Sequence, residues 1–272
     1  MPTEAGRIAA LISDVDGTLV TDDKRLTART CAAVAALRRA GIAFTVISSR
    51  PPRGLRMLIE PLELTGPLAA FNGGLLITPE LALTGEPHFL PPARVARAVD
   101  FLLTRCADVW VFTAEEWRVR DPHGAYVRRE ERTVRFAPRV VAELAATDRI
   151  GKVVGVSEDA ELLQRLEIDA RAAFEGHAAV ARSQAYYLDF THPLANKGAA
   201  LRALCAALGI AAERTAVIGD GMNDIAMFEQ AGMSIAMGNG SPEVRRTAQL
   251  VTASNAQDGF AQAVERFILP QA

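Results

Sequence analysis

An apolar run ends in Asp14-Val15-Asp16-Gly17-Thr18. Residues i and i+2 of an extended segment point the same way. The two carboxylates therefore stand side by side, and they repel unless a cation or a shared proton intervenes. A hard divalent ion such as Mg2+ suits oxygen ligands and leaves room for water and phosphate. Gly17 lets the chain turn closely. The alternative is a polar strand end closed by an Asx turn. A second stretch, AVIGDGMNDIAM from Ala216 to Met227, weighs against that alternative. Here another apolar run leads into Asp220 and Asp224, with Asn223 between them and Gly219 and Gly221 giving tight backbone. A helix dipole accounts for an acid such as Asp224 at a helix start, but not for the whole cluster.

Two weaker signals accompany these. Ser48, in VISSRPP, falls where a strand meets a loop, and its hydroxyl can donate to an anion; a plain turn serine is the alternative. Lys197, in LANKGAAL, occupies the first turn of an expected helix. The macrodipole disfavours a cation there by roughly 0.3–1 kcal/mol, and a bound phosphate would resolve the conflict. A solvated surface lysine is the alternative.

The elements that must position these residues alternate at both ends of the chain. Strands are expected at 8–12, 42–47 and 68–71, with a helix opened by Thr27 and closed by Gly41 and another within 53–60. Asn72-Gly73-Gly74 turns the third strand towards 75–77. Towards the C-terminus, a helix over 198–208 precedes strands at 215–218, 234–237 and 250–252, interleaved with helices at 224–231, after Ser241-Pro242, and at 260–267. Such alternation implies an α/β fold, a doubly wound parallel sheet with helices on both faces. In that architecture ligands bind outside the carboxyl ends of the strands, which is where the acidic stretches fall. The middle differs: short strands at 109–113, 117–120, 125–128 and 151–156, a helix at 160–173 and a closing hairpin at 180–190. It predicts an inserted α+β domain over 83–188, leaving 1–82 and 189–272 as the catalytic core.

Bulk properties narrow the class. The chain has 272 residues, half of them hydrophobic, which suffices for a sizeable core; its net charge is −2 and it has no basic block of five or more residues, which gives a nucleic-acid partner little support. No apolar run approaches a membrane span, and MPTEAGRIAALIS lacks the pattern of a secretory signal. Cys31, Cys106 and Cys205 are widely spaced and odd in number, which predicts reduced thiols and a cytoplasmic protein. His88, His123, His177 and His192 have no metal-ligand spacing. Trp117 and Tyr126 are expected in the core of the inserted domain, and Arg128, Arg129 and Arg132 on a solvated face.

Taken in order, the four stretches resemble the motifs of the haloacid dehalogenase superfamily of phosphohydrolases: DVDGTL (14–19), Ser48, Lys197 and GDGMND (219–224). FNGG (71–74), NKG (196–198), AMGNG (236–240) and the long insert resemble its Cof-type branch, whose core is Rossmann-like and whose insert is an α+β cap. One departure is visible: Ser48-Ser49-Arg50 stands where that branch usually has Thr-Gly-Arg, so Ser49 replaces a glycine beside the expected phosphate.

The resemblance implies a Mg2+-dependent phosphatase of small phosphorylated metabolites, sugar phosphates first among them. It implies Asp14 as nucleophile forming an aspartyl-phosphate and Asp16 as general acid, then base. Mg2+ would be held by Asp14, the Asp16 carbonyl and Asp220, with Asp224 supporting, while Ser48, Asn223 and Lys197 bind the phosphoryl oxygens. The cap would close over the site. Two alternatives share the fold: a phosphotransferase or mutase passing the phosphoryl group to a sugar hydroxyl, and a non-catalytic, receiver-like phosphate sensor. The sensor is disfavoured by the length of the chain and by the Asp14/Asp16 pair. A nicotinamide dehydrogenase is disfavoured because no G-x-G-x-x-G follows a strand. No nucleic-acid or membrane partner is expected, and the sequence does not specify an oligomeric state.

Overall fold

Ala10–Ser13 (β1) is buried on both faces, as a strand inside a parallel sheet must be. The computed structural model describes residues 7–105, 108–145 and 149–271, and Cys106 lies outside them. After β1 comes the helix Ala28–Arg39 (α1). Thr27 Oγ1 caps it by accepting from the Thr30 amide at 3.0 Å. The strand Ala43–Val46 (β2), the helix Pro52–Leu62 (α2) and the strand Leu68–Ala70 (β3) follow. Leu75–Ile77 (β4) and Leu83–Thr84 (β5) then fold back as an antiparallel set with β3.

The next segment builds a second sheet. Its elements are Pro92–Leu103 (α3), Asp108–Thr113 (β6), Trp117–Val119 (β7), Val127–Val134 (α4), Arg139–Val140 (β8), Ile150–Val156 (β9), Ala160–Ala173 (α5), Ala179–Gln184 (β10) and Tyr187–Thr191 (β11). The chain then returns through Lys197–Leu208 (α6), Thr215–Gly219 (β12), Ile225–Phe228 (α7), Met233–Ala236 (β13), Pro242–Thr247 (α8), Leu250–Val251 (β14) and Gly259–Ala263 (α9).

The first sheet has the order β14-β13-β12-β1-β2, all parallel. Helices cover both faces: Leu11, Ala216 and Ile218 pack towards α1 and α2, while Ile12 and Val217 pack towards α6 and α7. Ser13 is level with Ile218 on one side and Val46 on the other. The carboxyl ends of β12, β1 and β2 therefore open at one height, and Asp220, Asp14 and Ser48 leave from them.

The second sheet has the order β10-β11-β9-β6-β7-β8 and is antiparallel except between β7 and β8. Its period-2 alternation sorts the side chains. Val109, Val111, Val153, Leu188 and Phe190 pack beneath α3 and α5. Trp110, Phe112, Val154, Val156 and Tyr187 join the core shared with the first domain. Phe71 reaches across this boundary so closely that a Cβ on Gly151 of β9 would lie 2.3 Å from its ring.

Three expectations are corrected. Residues 125–128, expected as a strand, straddle the start of helix α4, because VRREERTV puts Val127, Glu130 and Val134 on one buried face at helical spacing. The helix expected over 224–231 is shortened to Ile225–Phe228. Gly232 is there for close approach, since a Cβ would stand 1.9 Å from the Glu213 carbonyl. The expected domain limits shift with strand pairing: β5 belongs to the β3–β4 set, and β11 extends the second sheet to Thr191.

Candidate active site

Asp14 follows β1 directly, and its amide donates to the Ile218 carbonyl of β12 at 2.9 Å. This ladder bond sets the acidic loop after β1 against the acidic loop after β12. Asp14, Asp220 and Asp224 each bring one oxygen within 4.8 Å of the others. Gly17 makes the approach possible. Its φ of +84° suits glycine, and a Cβ there would lie 2.3 Å from Asp220 Oδ2. Thr18 Oγ1 donates to Asp220 Oδ1 at 2.9 Å. Asn239, in the loop after β13, donates to the Gly17 carbonyl at 2.9 Å and to Asp220 Oδ2 at 3.2 Å, joining three loops.

Lys197 is the cation of this cluster. It is only 1 % exposed, so it is no solvated surface lysine. Its Nζ donates to Asp14 Oδ1 at 2.5 Å and to Asp224 Oδ1 at 2.6 Å. These carboxylates resolve the conflict with the α6 dipole that the sequence poses. Burial alone would lower the Lys197 ammonium; Asp14 and Asp224 outweigh it and hold the group protonated. The other oxygen of Asp224 accepts from the amides of Asp220 and Gly221, at 2.9 and 2.8 Å. Asp224 therefore shapes the loop and anchors Lys197.

Negative charge still exceeds positive. Burial, then Asp224, push the Asp220 carboxyl from its ordinary 3.8 up to about 7. Burial also raises Asp14, Lys197 opposes the shift, and Asp224 and Asp220 add to it. An all-oxygen donor set whose carboxyls resist ionisation fits a hard divalent cation such as Mg2+, which would neutralise that crowding.

Asp16 turns away from the cluster. Arg50 Nε and Nη2 grip its two oxygens at 2.7 and 2.9 Å, and Lys24 Nζ lies 2.6 Å from Oδ1. Burial favours the neutral acid, but Arg50 and then Lys24 outweigh it and hold Asp16 well below the usual carboxylate range. Ser48 is buried, and its Oγ accepts from the Arg50 amide at 3.2 Å. The Ser48 carbonyl accepts from the Asn72 amide at 2.8 Å. Asn72 Oδ1 in turn accepts from Asn223 Nδ2 at 3.1 Å. The FNGG turn thus bridges the loops carrying Ser48 and Asn223.

Every singled-out residue stands at this one end of the sheet. Among those not singled out, Asn72 and Asn239 sat in quoted motifs, whereas Lys24 carried no signal beyond its closeness to Asp16. The second domain covers the site: Arg129, Glu130, Lys152 and Tyr186 line a crevice together with Asp16, Lys24 and Arg50. Trp117 is fully buried, as expected, and Tyr126 stacks on Tyr186 at 4.2 Å between ring centroids.

A family model for haloacid dehalogenase-like hydrolases matches residues 11–264. The chain belongs to that family. This hydrolase is 30% identical over 260 residues to a Haemophilus influenzae protein named "Putative phosphatase", covering 94% of this chain and 97% of that one. It is 26% identical over 264 residues to the 5-amino-6-(5-phospho-D-ribitylamino)uracil phosphatase of Bacillus subtilis, covering 93% and 95%. A solved haloacid dehalogenase-like hydrolase from Bacteroides thetaiotaomicron superposes with a TM-score of 0.85 at 28% identity, covering 96% and 99%. Like its relatives, this hydrolase is an enzyme of the phosphatase class. Among the described residues, no helix is long and apolar enough to cross a membrane.

Proposed function

We propose that this phosphatase is Mg2+-dependent, is cytoplasmic, and hydrolyses small phosphorylated metabolites, sugar phosphates first among them, through a phosphoryl group carried on Asp14. The observation that supports this most directly is the meeting of Asp14 with Asp220 and Asp224, from loops about two hundred residues apart, around one buried lysine. Asp14, the Asp16 carbonyl and Asp220 would hold Mg2+, with Asp224 behind them. The ion would lower the repulsion between an anionic nucleophile and an anionic phosphate.

The side chains supply the rest. Lys197 orients Asp14 and opposes the burial that favours its neutral form; Lys197, Ser48 and Asn223 bind the phosphoryl oxygens. Asp14 attacks phosphorus, and Asp16 protonates the departing alkoxide, then takes a proton from the water that releases phosphate. Because Arg50 and Lys24 hold Asp16 as a carboxylate, it is prepared as a base and must exchange those partners to act as the acid. The covering domain excludes bulk water and meets the leaving group.

Asp14→Asn should abolish Mg2+-dependent hydrolysis of p-nitrophenyl phosphate with the fold intact, and mass spectrometry of quenched wild-type enzyme should find the phosphoryl group on Asp14. Normal turnover by the variant would refute the mechanism.

A further inference from the structure

Two stretches of chain join the domains: residues 85–91, between β5 and α3, and residues 192–196, between β11 and α6. Any movement of the second domain over the site must bend both. Each is tied to a loop of the site. The His88 amide donates to the Gly74 carbonyl at 2.8 Å, in the turn whose Asn72 steadies Asn223. A Cβ at Gly74 would lie 3.3 Å from the Ala195 methyl and 3.4 Å from the His88 carbonyl, so this turn is wedged between the two linkers. The second linker ends at Asn196, which caps α6, and Lys197 follows directly.

The linkers meet at His88 and His192. Their rings stack with centroids 5.1 Å apart and planes 15° from parallel, and both are half-buried. Histidine is the side chain whose charge ordinarily changes between pH 5 and 8. The geometry suits neutral rings for two reasons. His192 Nδ1 accepts from the Leu194 amide at 3.2 Å, which requires that nitrogen to be unprotonated. Two charged rings at this separation would also repel, which disfavours the doubly charged pair about fourfold even at the dielectric constant of water. Burial and then His88 hold the His192 imidazole below its ordinary pKa, with Glu86 of the first linker opposing them. The other charges on the elements packed here are engaged elsewhere. Residues 71–74 carry none, the Lys197 ammonium is bound by Asp14 and Asp224, Lys152, level with Thr191, pairs with Asp189, and Arg149 lies over the Phe89 ring.

We propose that His88 and His192 form a pH-sensitive clip across the hinge: with both rings neutral the linkers lie together and hold the second domain over the site, and protonation parts them and frees that domain to open. Proton uptake at Nδ1 breaks the Leu194 bond four residues before α6, while the charge on both rings drives the linkers from each other. The wedged Gly74 turn and the start of α6 carry the change to Asn223 and Lys197. The clip belongs to the hinge and goes beyond the chemistry proposed for Asp14.

Hydrogen exchange of the full-length protein, without substrate, tests it. The His88 and Leu90 amides, bonded to the Gly74 and Ile150 carbonyls, report opening of the first linker. The Ala43 amide of β2, bonded to the Ala9 carbonyl, reports global opening. Corrected for intrinsic rates and taken relative to Ala43, protection at His88 and Leu90 should fall by about threefold or more from pH 7.5 to pH 5.5. In His192→Gln the side-chain oxygen can still accept from Leu194 but the group never takes a charge, so protection should stay within about twofold over the same interval. A smaller fall in the wild type, or a larger one in the variant, overturns the clip. Should that variant not fold, NMR titration of the wild-type imidazoles decides: His192 should take up its proton over the interval in which protection is lost, and a mismatch between the two curves overturns the proposal. None of these readouts depends on turnover, so they stand or fall apart from the phosphatase mechanism.

Discussion

Lys197→Met removes one charge and nearly preserves volume. In the wild type the ammonium bonds Asp14 and Asp224 at 2.5 and 2.6 Å and is buried to 1 % exposure. Breaking a buried ion pair by deleting one partner costs about 3–5 kcal/mol, since a charge is left uncompensated. The orphaned carboxylates have one escape, which is to take up a proton. For a carboxyl of ordinary pKa, that costs about 4 kcal/mol at pH 7 and under about 2 kcal/mol at pH 5. Proton uptake therefore caps the loss. Metal-free variant should be about 3–4 kcal/mol less stable at pH 7, a urea midpoint lower by about 1 M or more, and the deficit should at least halve at pH 5. Mg2+ should recover part of it at pH 7. Both tryptophans, Trp110 and Trp117, lie in the second sheet, so fluorescence follows that domain. Far-UV circular dichroism must be recorded alongside, and coincident curves justify a single transition. A loss below about 1 kcal/mol at pH 7, or the same loss at both pH values, would refute the account of Lys197 as counter-charge.

Asp220→Asn tests the crowding from the opposite side. In metal-free wild type the Asp220 carboxyl keeps its proton up to about 7 when folded but only to about 3.8 when unfolded, so its contribution is full below 3.8 and lost as pH rises to 7. The variant lacks that loss. Its Tm relative to wild type should rise between pH 4 and pH 7, and a flat difference in melting curves would contradict the assigned shift. Gly17→Ala should lower stability by about 1–2 kcal/mol for the left-handed backbone alone. It should also reduce Mg2+-dependent aryl phosphate turnover by about tenfold or more, because the new methyl displaces Asp220; wild-type kinetics would contradict the close approach.

The acidic ends of the site were legible because strand periodicity and paired aspartates are local signals, and a parallel sheet then brings 14 and 220 to one edge. Lys197 was legible as a conflict with its helix, though the partners resolving it were not. Other parts depend on tertiary geometry that no spacing encodes. Asp16 finds Arg50 only because α2 starts beside β1, and Lys24 finds it only because a loop curls back. Glu130 sits in VRREERTV, whose charges look solvated until the helix turns one of them inward. The short alternation at 125–128 competed with that helix and misled, as four residues cannot distinguish a period of 2 from one of 3.6.

The contact between Phe71 and Gly151 ties two parts of the gene together. A side chain at 151 has no room while the benzyl group is present, and the next residue, Asn72, steadies Asn223. Drift at either position is thus constrained by the other: enlarging 151 demands shrinking 71, and only a paired exchange would let the two lobes keep their mutual seating.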